Sequence, residues 1–419
     1  MTDRAEPSLD AAAPAEMRRF AAIRAPFVRA PERARTLFLV TLGAACGPLL
    51  AGVALFGYHA AMVAALSVTG CIVAEQLYYR VTRAPALLGR SHACLTGVLL
   101  ALTLPAFVPW YVPLVAAAFA IIVAKAVFGG VGHFLWQPAL VGRLAVAVLF
   151  PVALTMPFPS HRNAWPVLAR DKLLTGDVMN VRRVQNYKGW QKTPAPPGAD
   201  ALLLNQPTTI LNGLMKPADP AFSALANLPS GPDVVPGAKP TALSQLPPIS
   251  DLLYGGRPGS LGETCAVVIV IAGLYLVYRN YVKWQLPLAF LASACCVLAI
   301  APICLAGPNQ VTKTVWYPLV AEGLDVGFVY VSYQILSCEL LLAAFFFATE
   351  MTSRPVTTGG QVIFGLGCGA LAMLLKLYLD VPVPCFMAVL AMNTLTPAID
   401  SIWRPRVFGC GWIRRRQPG

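Results

Sequence analysis

The chain has 419 residues, of which 57% are hydrophobic and only 12% are charged, and its mean hydropathy is +0.63. A soluble domain does not need so apolar a composition, which is typical of a protein embedded in a membrane. The net charge of +13 does not favour nucleic-acid binding, because the basic residues flank apolar segments instead of forming one patch.

Apolar runs of roughly 20 residues are long enough to cross a bilayer as helices, and about ten such runs follow one another along the chain. They cover residues 36–57, 59–79, 92–108, 110–128, 138–156, 263–281, 285–306, 327–348, 361–379 and 382–401. The pattern predicts an all-α polytopic membrane protein with a first half at 36–156 and a second half at 263–401.

Basic residues set the predicted orientation, because Arg and Lys near helix ends are retained on the cytoplasmic side. They are concentrated in the N-terminal arm 1–35, in the short loops at 80–90 and 279–283, near Arg354, and in the tail 402–419. Both termini are therefore predicted to be cytoplasmic, in a bacterial inner membrane. The arm shows no short charged region followed by an apolar stretch, so we expect no cleaved signal peptide.

The segment 157–262 is predicted to be an extracytoplasmic loop. It is rich in Pro, Gly, Asn and Asp and contains no apolar run long enough to span. Long connections of this kind tend to be functional or disordered. Aromatic residues within it, among them Trp165 and Trp190, favour an ordered loop domain.

Cysteines and histidines give little support for a metal site. Eleven cysteines are present, but the segment 157–262 has none and no C-x-x-C pair occurs, so no iron–sulfur or zinc site is expected from this chain. Of the histidines, His92 and His133 are predicted to share the inner side of the membrane. They could pair as axial haem ligands, a role that we do not favour.

The stretch FGGVGHFLWQPALVGR, from Phe128 to Arg143, places a glycine-rich turn between two apolar runs that are each predicted to span. Glycines in such a turn cost conformational entropy, and unsatisfied backbone groups are expensive where water is scarce. The turn therefore predicts a bound cofactor or ion at the membrane surface.

Two pairs of segments suggest an internal repeat. LTGVLLALTLP from Leu95 is similar to LLLAAFFFATEMTSRP from Leu340, and QPALVGR from Gln137 is similar to NTLTPAID from Asn393. Two halves with five spans each would run in opposite directions across the bilayer, which predicts a 5+5 inverted repeat with sites at the junction of the halves. Chance similarity between Leu- and Ala-rich helices is the alternative.

The same segments carry a family resemblance. FGGVGHFLWQPALVGR, GSLGETCAVVIVIAGLYLVYR from Gly259, LLLAAFFFATEMTSRPVT from Leu340 and MNTLTPAID from Met392 resemble the B subunit of the sodium-translocating NADH:quinone oxidoreductase and the D subunit of the Rnf complex. APFVRAPERARTLFLV from Ala25 resembles the segment before their first span. The likeness covers most of the chain in the same order.

The resemblance implies an electron-transfer subunit with flavin cofactors. In that family one FMN is bonded through a phosphodiester to a Thr on the outer side, a second flavin such as riboflavin lies near the inner glycine turn, and electron transfer is coupled to moving sodium ions or protons. Gly129, Gly130 and Gly132 would let the backbone approach the flavin ring. Arg143 would stabilise an anionic reduced flavin or a headgroup, or would extend to the inner surface without such a role.

The predicted attachment site for FMN departs from the family pattern. The family reads approximately S-G-A-T-P or S-G-A-T-A-L, with Thr as the acceptor, whereas this chain reads VPGAKPTALSQL from Val235 and has Lys239 at the ungapped position. A lysine cannot form a phosphoester. An insertion would bring Thr241 into the acceptor position, so Thr241 is the predicted acceptor if FMN is covalently bound.

At the inner turn the family usually has Asn residues before Pro-Ala, where this chain has His133 and Gln137. Gln keeps the donor and the acceptor of Asn on a longer arm, so a flavin or quinone could still be held. Histidine side chains in general exchange protons near neutral pH, so His133 could pass a proton to a reduced quinone or flavin. An ordinary surface histidine is the alternative.

Two carboxylates in or beside predicted spans are further candidates. Glu339 lies in the middle of the eighth span, where the family tends to have glycine, and a carboxylate at that depth is costly without a partner. It is predicted either to relay protons or cations or to contact a helix of a neighbouring subunit. Glu263, in the GSLGET motif, would cap the sixth span at its N-terminus or orient the loop that carries the flavin site.

Together these features predict a membrane subunit of an Rnf-like or Nqr-like redox-driven, ion-translocating complex that holds flavin and relays electrons. The chain has no nucleotide-binding fingerprint after a strand, so oxidation of NADH or ferredoxin would fall to other membrane or peripheral subunits, with quinone as a candidate partner. It would act within that complex and not as a stand-alone enzyme. The alternative is a non-redox scaffold, channel or transporter of the same fold that has lost flavin.

Overall fold

The computed structural model describes residues 34–82, 91–129, 133–155, 249–254, 259–306, 312–317, 324–336, 339–379, 381 and 383–402. Three predicted site residues, Gly130, Gly132 and Thr241, lie outside the described residues, as does most of the segment 157–262. The predictions made for them stay predictions.

Helices dominate the described part of the chain. The first six are α1 (Ala34–Phe56), α2 (Tyr58–Thr82), α3 (Ser91–Thr103), α4 (Tyr111–Ala118), α5 (Pro138–Leu149) and α6 (Pro151–Thr155). The helices that follow are α7 (Ile249–Tyr254), α8 (Ala266–Tyr278), α9 (Gln285–Ile300), α10 (Leu324–Leu336), α11 (Leu340–Leu342), α12 (Thr358–Leu374) and α13 (Pro384–Ile402). Helices α4, α11 and α12 continue as wider π-helical turns over Phe119–Ala126, Ala343–Phe347 and Leu375–Leu379, respectively.

Among the described residues, four helices are long and apolar enough to cross a membrane: Thr36–Phe56, Tyr58–Thr82, Thr358–Leu379 and Pro384–Ile402. A fifth span results if the pair Gly327–Leu336 and Leu340–Phe347, which is bent by 66°, counts as one. Shorter apolar helices accompany them. The predicted fold class, a helical polytopic membrane protein, is confirmed. The predicted number of about ten spans stays a prediction.

The seventh predicted span is wrong in its last residues, where a short pair of strands follows the helix. Helix α9 ends at Ile300, and the strand β1 (Ile303–Ala306) pairs with β2 (Thr312–Val315) as an antiparallel ladder. Pro302 explains the end of the helix, because a residue that precedes proline is disfavoured in helical geometry. Ala301 accordingly has φ −62° and ψ 131°.

The third predicted span also ends early, because α3 stops at Thr103 and the chain then becomes extended. The segment 259–264, which reads GSLGET, packs against this end of α3. Its backbone hydrogen bonds run from Leu261 N to Leu104 O at 3.0 Å and from Gly262 N to Leu102 O at 2.8 Å. The GSLGET segment is therefore part of the bundle, and the sixth predicted span is helical only from Ala266.

Glycines allow close backbone approach at this contact and between α9 and α12. A Cβ on Gly262 would lie 2.6 Å from the Cβ of Leu102, and a Cβ on Gly369 in α12 would lie 2.1 Å from the carbonyl oxygen of Phe290 in α9. Helices α9 and α12 pack along much of their length. Small residues at such contacts permit the tight helix packing on which membrane bundles depend.

Replacing Gly369 by Ala should destabilise the protein by about 1–3 kcal/mol, because the added methyl group must push α9 and α12 apart. Gly43→Ala in α1 is the matched control, since a Cβ there meets nothing within 4 Å. Thermal unfolding of both variants in detergent measures the difference. Equal stability of the two variants would contradict the tight contact.

The two halves of the chain meet through α1 and α8 and through α5 and α13. Gly47 of α1 lies over α8, where its Cβ would be 3.5 Å from Cγ1 of Val268. The buried apolar side chains form one continuous core across both halves. Polar and charged side chains buried within it are costly and therefore mark candidate sites.

The segments that suggested a repeat do not all occupy matching positions. The first pair matches in kind, because each segment runs from a buried helix into the non-helical chain that follows it. Gln137, by contrast, directly precedes α5, whereas Asn393 lies well inside α13. The second pair is therefore not an equivalence between the halves, and the inverted repeat stays a prediction.

Candidate functional site

The glycine bend, residues 127–137, joins the π-helical end of α4 to α5. Gly129 has φ +96°, a left-handed conformation that glycine adopts without strain. A Cβ built on Gly129 would meet only the Cβ of His133, at 3.9 Å, and both residues are exposed. The described part of the bend thus presents backbone that a planar ring could approach.

Aromatic residues of the bend pack into the bundle. Phe134 is 2% exposed, and its ring lies 5.6 Å from the ring of His92. Trp136 contacts Phe128 at 5.5 Å between ring centroids and donates a hydrogen bond from Nε1 to Oγ1 of Thr394 at 2.9 Å. Phe134 therefore fills the interior of the bend, whereas Gly129 and His133 lie on its exposed side.

Gln137 uses both ends of its side chain within the protein. Its Oε1 accepts a hydrogen bond from Leu140 N at 2.9 Å, which caps α5, and Pro138 follows at the first helical position. The side chain also hydrogen bonds to Glu350. Gln137 is 1% exposed, so its predicted contact to a cofactor would require a new side-chain position.

His92 and Glu350 form a buried pair next to the bend. His92 is the second residue of α3, and Glu350 lies in the loop 348–357 between α11 and α12. His92 Nε2 and Glu350 Oε1 are 3.8 Å apart, and both side chains are buried. Burial raises the pKa of the Glu350 carboxyl to about 7, while the hydrogen bond with Gln137 and the charge of Lys125 act in the opposite direction.

A buried ion pair lies close to His92 and Glu350, since the charge of its lysine acts on both of them. Nζ of Lys125, on the π-helical end of α4, bonds to Oε1 of Glu75 in α2. Lys125 is 2% exposed and Glu75 is 6% exposed. Two opposite charges that are buried together compensate each other, and neither can be removed alone without a large cost.

The loop 348–357 and the start of α12 contain several buried polar atoms that have no hydrogen-bond partner among the described residues. They are Glu350 Oε2, Thr352 Oγ1, Ser353 Oγ, Arg354 Nη1 and Gln361 Oε1. Among these residues, Glu350 is the one that contacts the glycine bend, through the side chain of Gln137. We call His92, Gln137, Glu350 and the Glu75–Lys125 pair the bend cluster.

Arg143 lies away from the glycine bend, in the interior of the bundle. Its Nε donates to the carbonyl oxygen of Thr103 at 2.9 Å, and its Nη1 has no partner among the described residues. Thr103 and His92 are at opposite ends of α3, roughly 16 Å apart at the helical rise. The alternative of Arg143 as a surface arginine is therefore wrong, because α5 carries it inward to 7% exposure, whereas its role toward a flavin or a headgroup stays a prediction.

Two carboxylates compensate the charge of Arg143, namely Glu339 and Glu263. Glu339 does not lie within a continuous helix as predicted, but at the break before α11, where the chain bends. Its Oε1 accepts a hydrogen bond from Cys385 N at 3.2 Å, at the start of α13. A carboxylate there is favoured by the helix dipole of α13. We call Arg143, Glu339 and Glu263 the mid-bundle cluster.

Glu263 orients the GSLGET segment and does not cap a helix. Its Oε1 accepts from Ser260 N at 2.6 Å and closes a tight turn. Helix α8 begins at Ala266, and Cys265 precedes it without a side-chain cap. Helix α8 thus has no side-chain hydrogen bond at its cap, and the predicted role of Glu263 in orienting a loop that carries a flavin site stays a prediction.

The structure thus brings together residues that the sequence interpretation did not single out. Glu75 and Lys125 carried a signal, since both are charges within predicted spans. Glu350 carried a weaker signal, because it lies within the similar segment that begins at Leu340. The contact between His92 and Glu350 carried none, because it depends on how the two halves pack.

Comparisons with known proteins identify the family. The model of the NQR2, RnfD, RnfE family matches residues 22–409. The D subunit of the ion-translocating oxidoreductase complex of Halorhodospira halophila is 30% identical over 398 residues, which cover 92% of this chain and 95% of that protein.

Two further relatives carry names that differ in the ion. The D subunit of the proton-translocating ferredoxin:NAD(+) oxidoreductase complex of Clostridium ljungdahlii is 28% identical, over 92% of this chain and 94% of that protein. The D subunit of the Na(+)-translocating ferredoxin:NAD(+) oxidoreductase complex of Acetobacterium woodii is 25% identical, over 93% and 95%, respectively. Because the family model and these relatives cover nearly all of the chain in one continuous match, this protein belongs to the NQR2, RnfD, RnfE family.

Proposed function

We propose that this chain is a membrane subunit of a redox-driven, ion-translocating complex of the bacterial inner membrane, and that it holds flavin and relays electrons to or from partner subunits. The relatives, each the D subunit of an ion-translocating oxidoreductase, support the complex. The observation that carries the flavin part of the proposal is the glycine bend, where Gly129 has an exposed, left-handed backbone and Gln137, at the other end of the bend, hydrogen bonds to the buried Glu350.

The residues of the bend fit a flavin on its exposed side. Gly129 leaves space for a ring, His133 offers a polar side chain beside it, and Trp136 offers an aromatic edge. A bound flavin would supply one- and two-electron chemistry, and the protein would supply position and electrostatics. Thr241 remains the proposed acceptor for a second, covalently bound FMN. A quinone is a further candidate for the exposed side of the bend.

The mid-bundle cluster supports the ion-translocating part of the proposal. Arg143 and Glu339 are buried charges in the interior of a helical membrane protein, where such charges commonly mark ion or proton pathways. Glu339 lies where α10 and α11 meet at a bend and where α13 begins. Broken helices that converge on a charge are typical of transporter sites. We propose that Glu339 takes part in a proton or cation relay.

The inverted repeat and the orientation are also proposals. Lys125 and Lys376 each lie on the π-helical end of a helix, and the next helix along the chain begins in each case with proline, at Pro138 and Pro384. This likeness supports two structurally related halves. Together with the basic loops it supports cytoplasmic termini and a glycine bend on the cytoplasmic side.

Flavin content is the direct test. After denaturing electrophoresis of the purified complex, we expect a fluorescent band at the mass of this chain that is lost in Thr241→Val and kept in the control Thr208→Val. Gly129→Val should lower the extractable, non-covalent flavin about tenfold, because a side chain fills the space beside the bend. A dark band with extractable flavin would leave only the site at the bend.

A flavin-free scaffold, channel or transporter of the same fold is the second candidate. The packing of Phe134 into the bend favours it, because this side chain occupies the interior where a ring could otherwise bind. Purified complex without flavin of either kind would support this candidate and reject the first.

A further inference from the structure

Two hydrogen-bond acceptors face each other in the bend cluster. Thr96 Oγ1 lies 3.0 Å from the carbonyl oxygen of His92 and 3.4 Å from its Nδ1. Because the hydroxyl hydrogen is donated to the carbonyl oxygen, we assign the ring hydrogen of the neutral imidazole to Nδ1 of His92, which donates it to Oγ1. The lone pair of Nε2 is then directed to Oε1 of Glu350, 3.8 Å away.

A pair of acceptors in this position lacks a hydrogen. Neither Nε2 of His92 nor Oε2 of Glu350 has a hydrogen-bond partner among the described residues. The rings of Phe38 and Phe134 pack on His92, with centroids at 4.9 and 5.6 Å, and restrict the access of water. One added proton converts the repulsion between the two acceptors into a hydrogen bond, either after a small approach or through one water molecule.

We propose that His92 and Glu350 together bind one exchangeable proton, and that the ion taken up at this end of the bundle is a proton and not sodium. The inference rests on the proposed ion-translocating function and names its ion. The proton comes from water on this side of the membrane, is held between Nε2 and a carboxylate oxygen, and returns to water on release. No other bond forms or breaks.

The groups around the pair favour a proton over a metal ion. Lys125 is the cation whose charge acts on both members, and it is already bonded to Glu75. The neutral polar neighbours are Thr96 and Gln137. A hard cation prefers several oxygen ligands, whereas here it would meet an imidazole nitrogen and the repulsion of a buried ammonium group.

The family alone leaves the ion undecided, because the names of two relatives specify protons in one case and sodium in the other. In this chain the imidazole of His92, which faces Glu350, favours a proton over sodium. Burial raises the pKa of Glu350 to about 7, so the proton is bound below that pH and released above it. Uptake and release near neutral pH are what a translocated proton requires.

Infrared difference spectroscopy of the purified complex in membranes, during a pH titration, tests the proposal without any redox reaction. We expect a carboxylic acid C=O band that appears as the pH falls through about 7, is lost in Glu350→Gln and is unchanged by sodium. In His92→Leu its midpoint should fall by about one pH unit, because the neutral acid loses its hydrogen-bond acceptor. The control Asp400→Asn removes a partly exposed carboxylate and should keep the band.

Three results would overturn the proposal: a band that persists in Glu350→Gln, a midpoint that does not move in His92→Leu, or a band that sodium abolishes. If Glu350→Gln does not fold, Glu350→Asp is measured in its place. A C=O band at the same frequency in Glu350→Asp as in the unaltered protein would then contradict the proposal. Failure of the proposed redox function and failure of the proton site give different results. A complex without flavin that shows the band rejects only the redox function, and a flavin-containing complex without the band rejects only the proton site.

Discussion

Replacing Lys125 by Met is expected to destabilise the protein by about 3–5 kcal/mol, because the change leaves the carboxylate of Glu75 buried without its partner. The two side chains are 2% and 6% exposed, so neither can turn to water without moving a helix. The double variant Lys125→Met/Glu75→Leu should regain most of the lost stability, since an apolar pair of similar volume needs no compensation.

Unfolding in detergent can be followed by the reaction of buried cysteines with a thiol reagent. Cys71 in α2 and Cys368 in α12 are both fully buried, so they report on opening of the first and the second half, respectively. The exposed Cys296 reacts before unfolding and sets the baseline. Loss of protection at Cys71 should occur at lower temperature in Lys125→Met than in the unaltered protein.

Lys283→Met is the matched control, because Lys283 is exposed and the same change there should leave stability nearly unaltered. If Lys125→Met and Lys283→Met unfold alike, the Glu75–Lys125 pair does not hold α2 and α4 together. If the double variant is as unstable as the single one, the cost arises from lost packing of the lysine stem and not from the unpaired carboxylate.

Hydropathy located the helices well because burial in lipid requires long apolar runs, whichever way the helices pack. It failed where a local backbone restraint ends a helix within an apolar run. Pro302 ends α9 inside such a run, and α3 stops at Thr103, before Pro105. The apolar residues that follow α3 are buried without being helical, and those that follow α9 form a strand, so composition alone could not locate the helix end.

The sequence reveals individual buried charges, but it does not reveal which residues they contact. A charge inside an apolar run is visible in the sequence, so Glu339 and Arg143 were found, but its partner depends on packing between distant segments. Arg143 was expected at the glycine bend, whereas helical geometry carries it toward Thr103 and Glu339. His92 and Glu350 meet only because the start of α3 lies against the loop that follows α11.

Glu339→Gln is expected to abolish ion coupling while the complex still assembles. The amide oxygen of Gln can still accept the hydrogen bond from Cys385 N, so the start of α13 keeps its cap. The change removes the titratable charge beside Arg143 and with it the capacity to bind and release a proton or cation. Ion uptake per electron transferred, measured in liposomes that contain the reconstituted complex, should fall to background.

The double variant Arg143→Met/Glu339→Gln separates a relay from simple charge compensation. If Glu339 only compensates the buried guanidinium, removing both charges restores uptake, because no uncompensated charge remains. If Glu339 carries the ion, the double variant stays uncoupled although its stability recovers. Asp400→Asn, a partly exposed carboxylate farther along α13, is the control and should pump normally. Normal pumping by Glu339→Gln in an intact complex would reject the relay, because a residue through which the ion passes cannot lose its charge without effect.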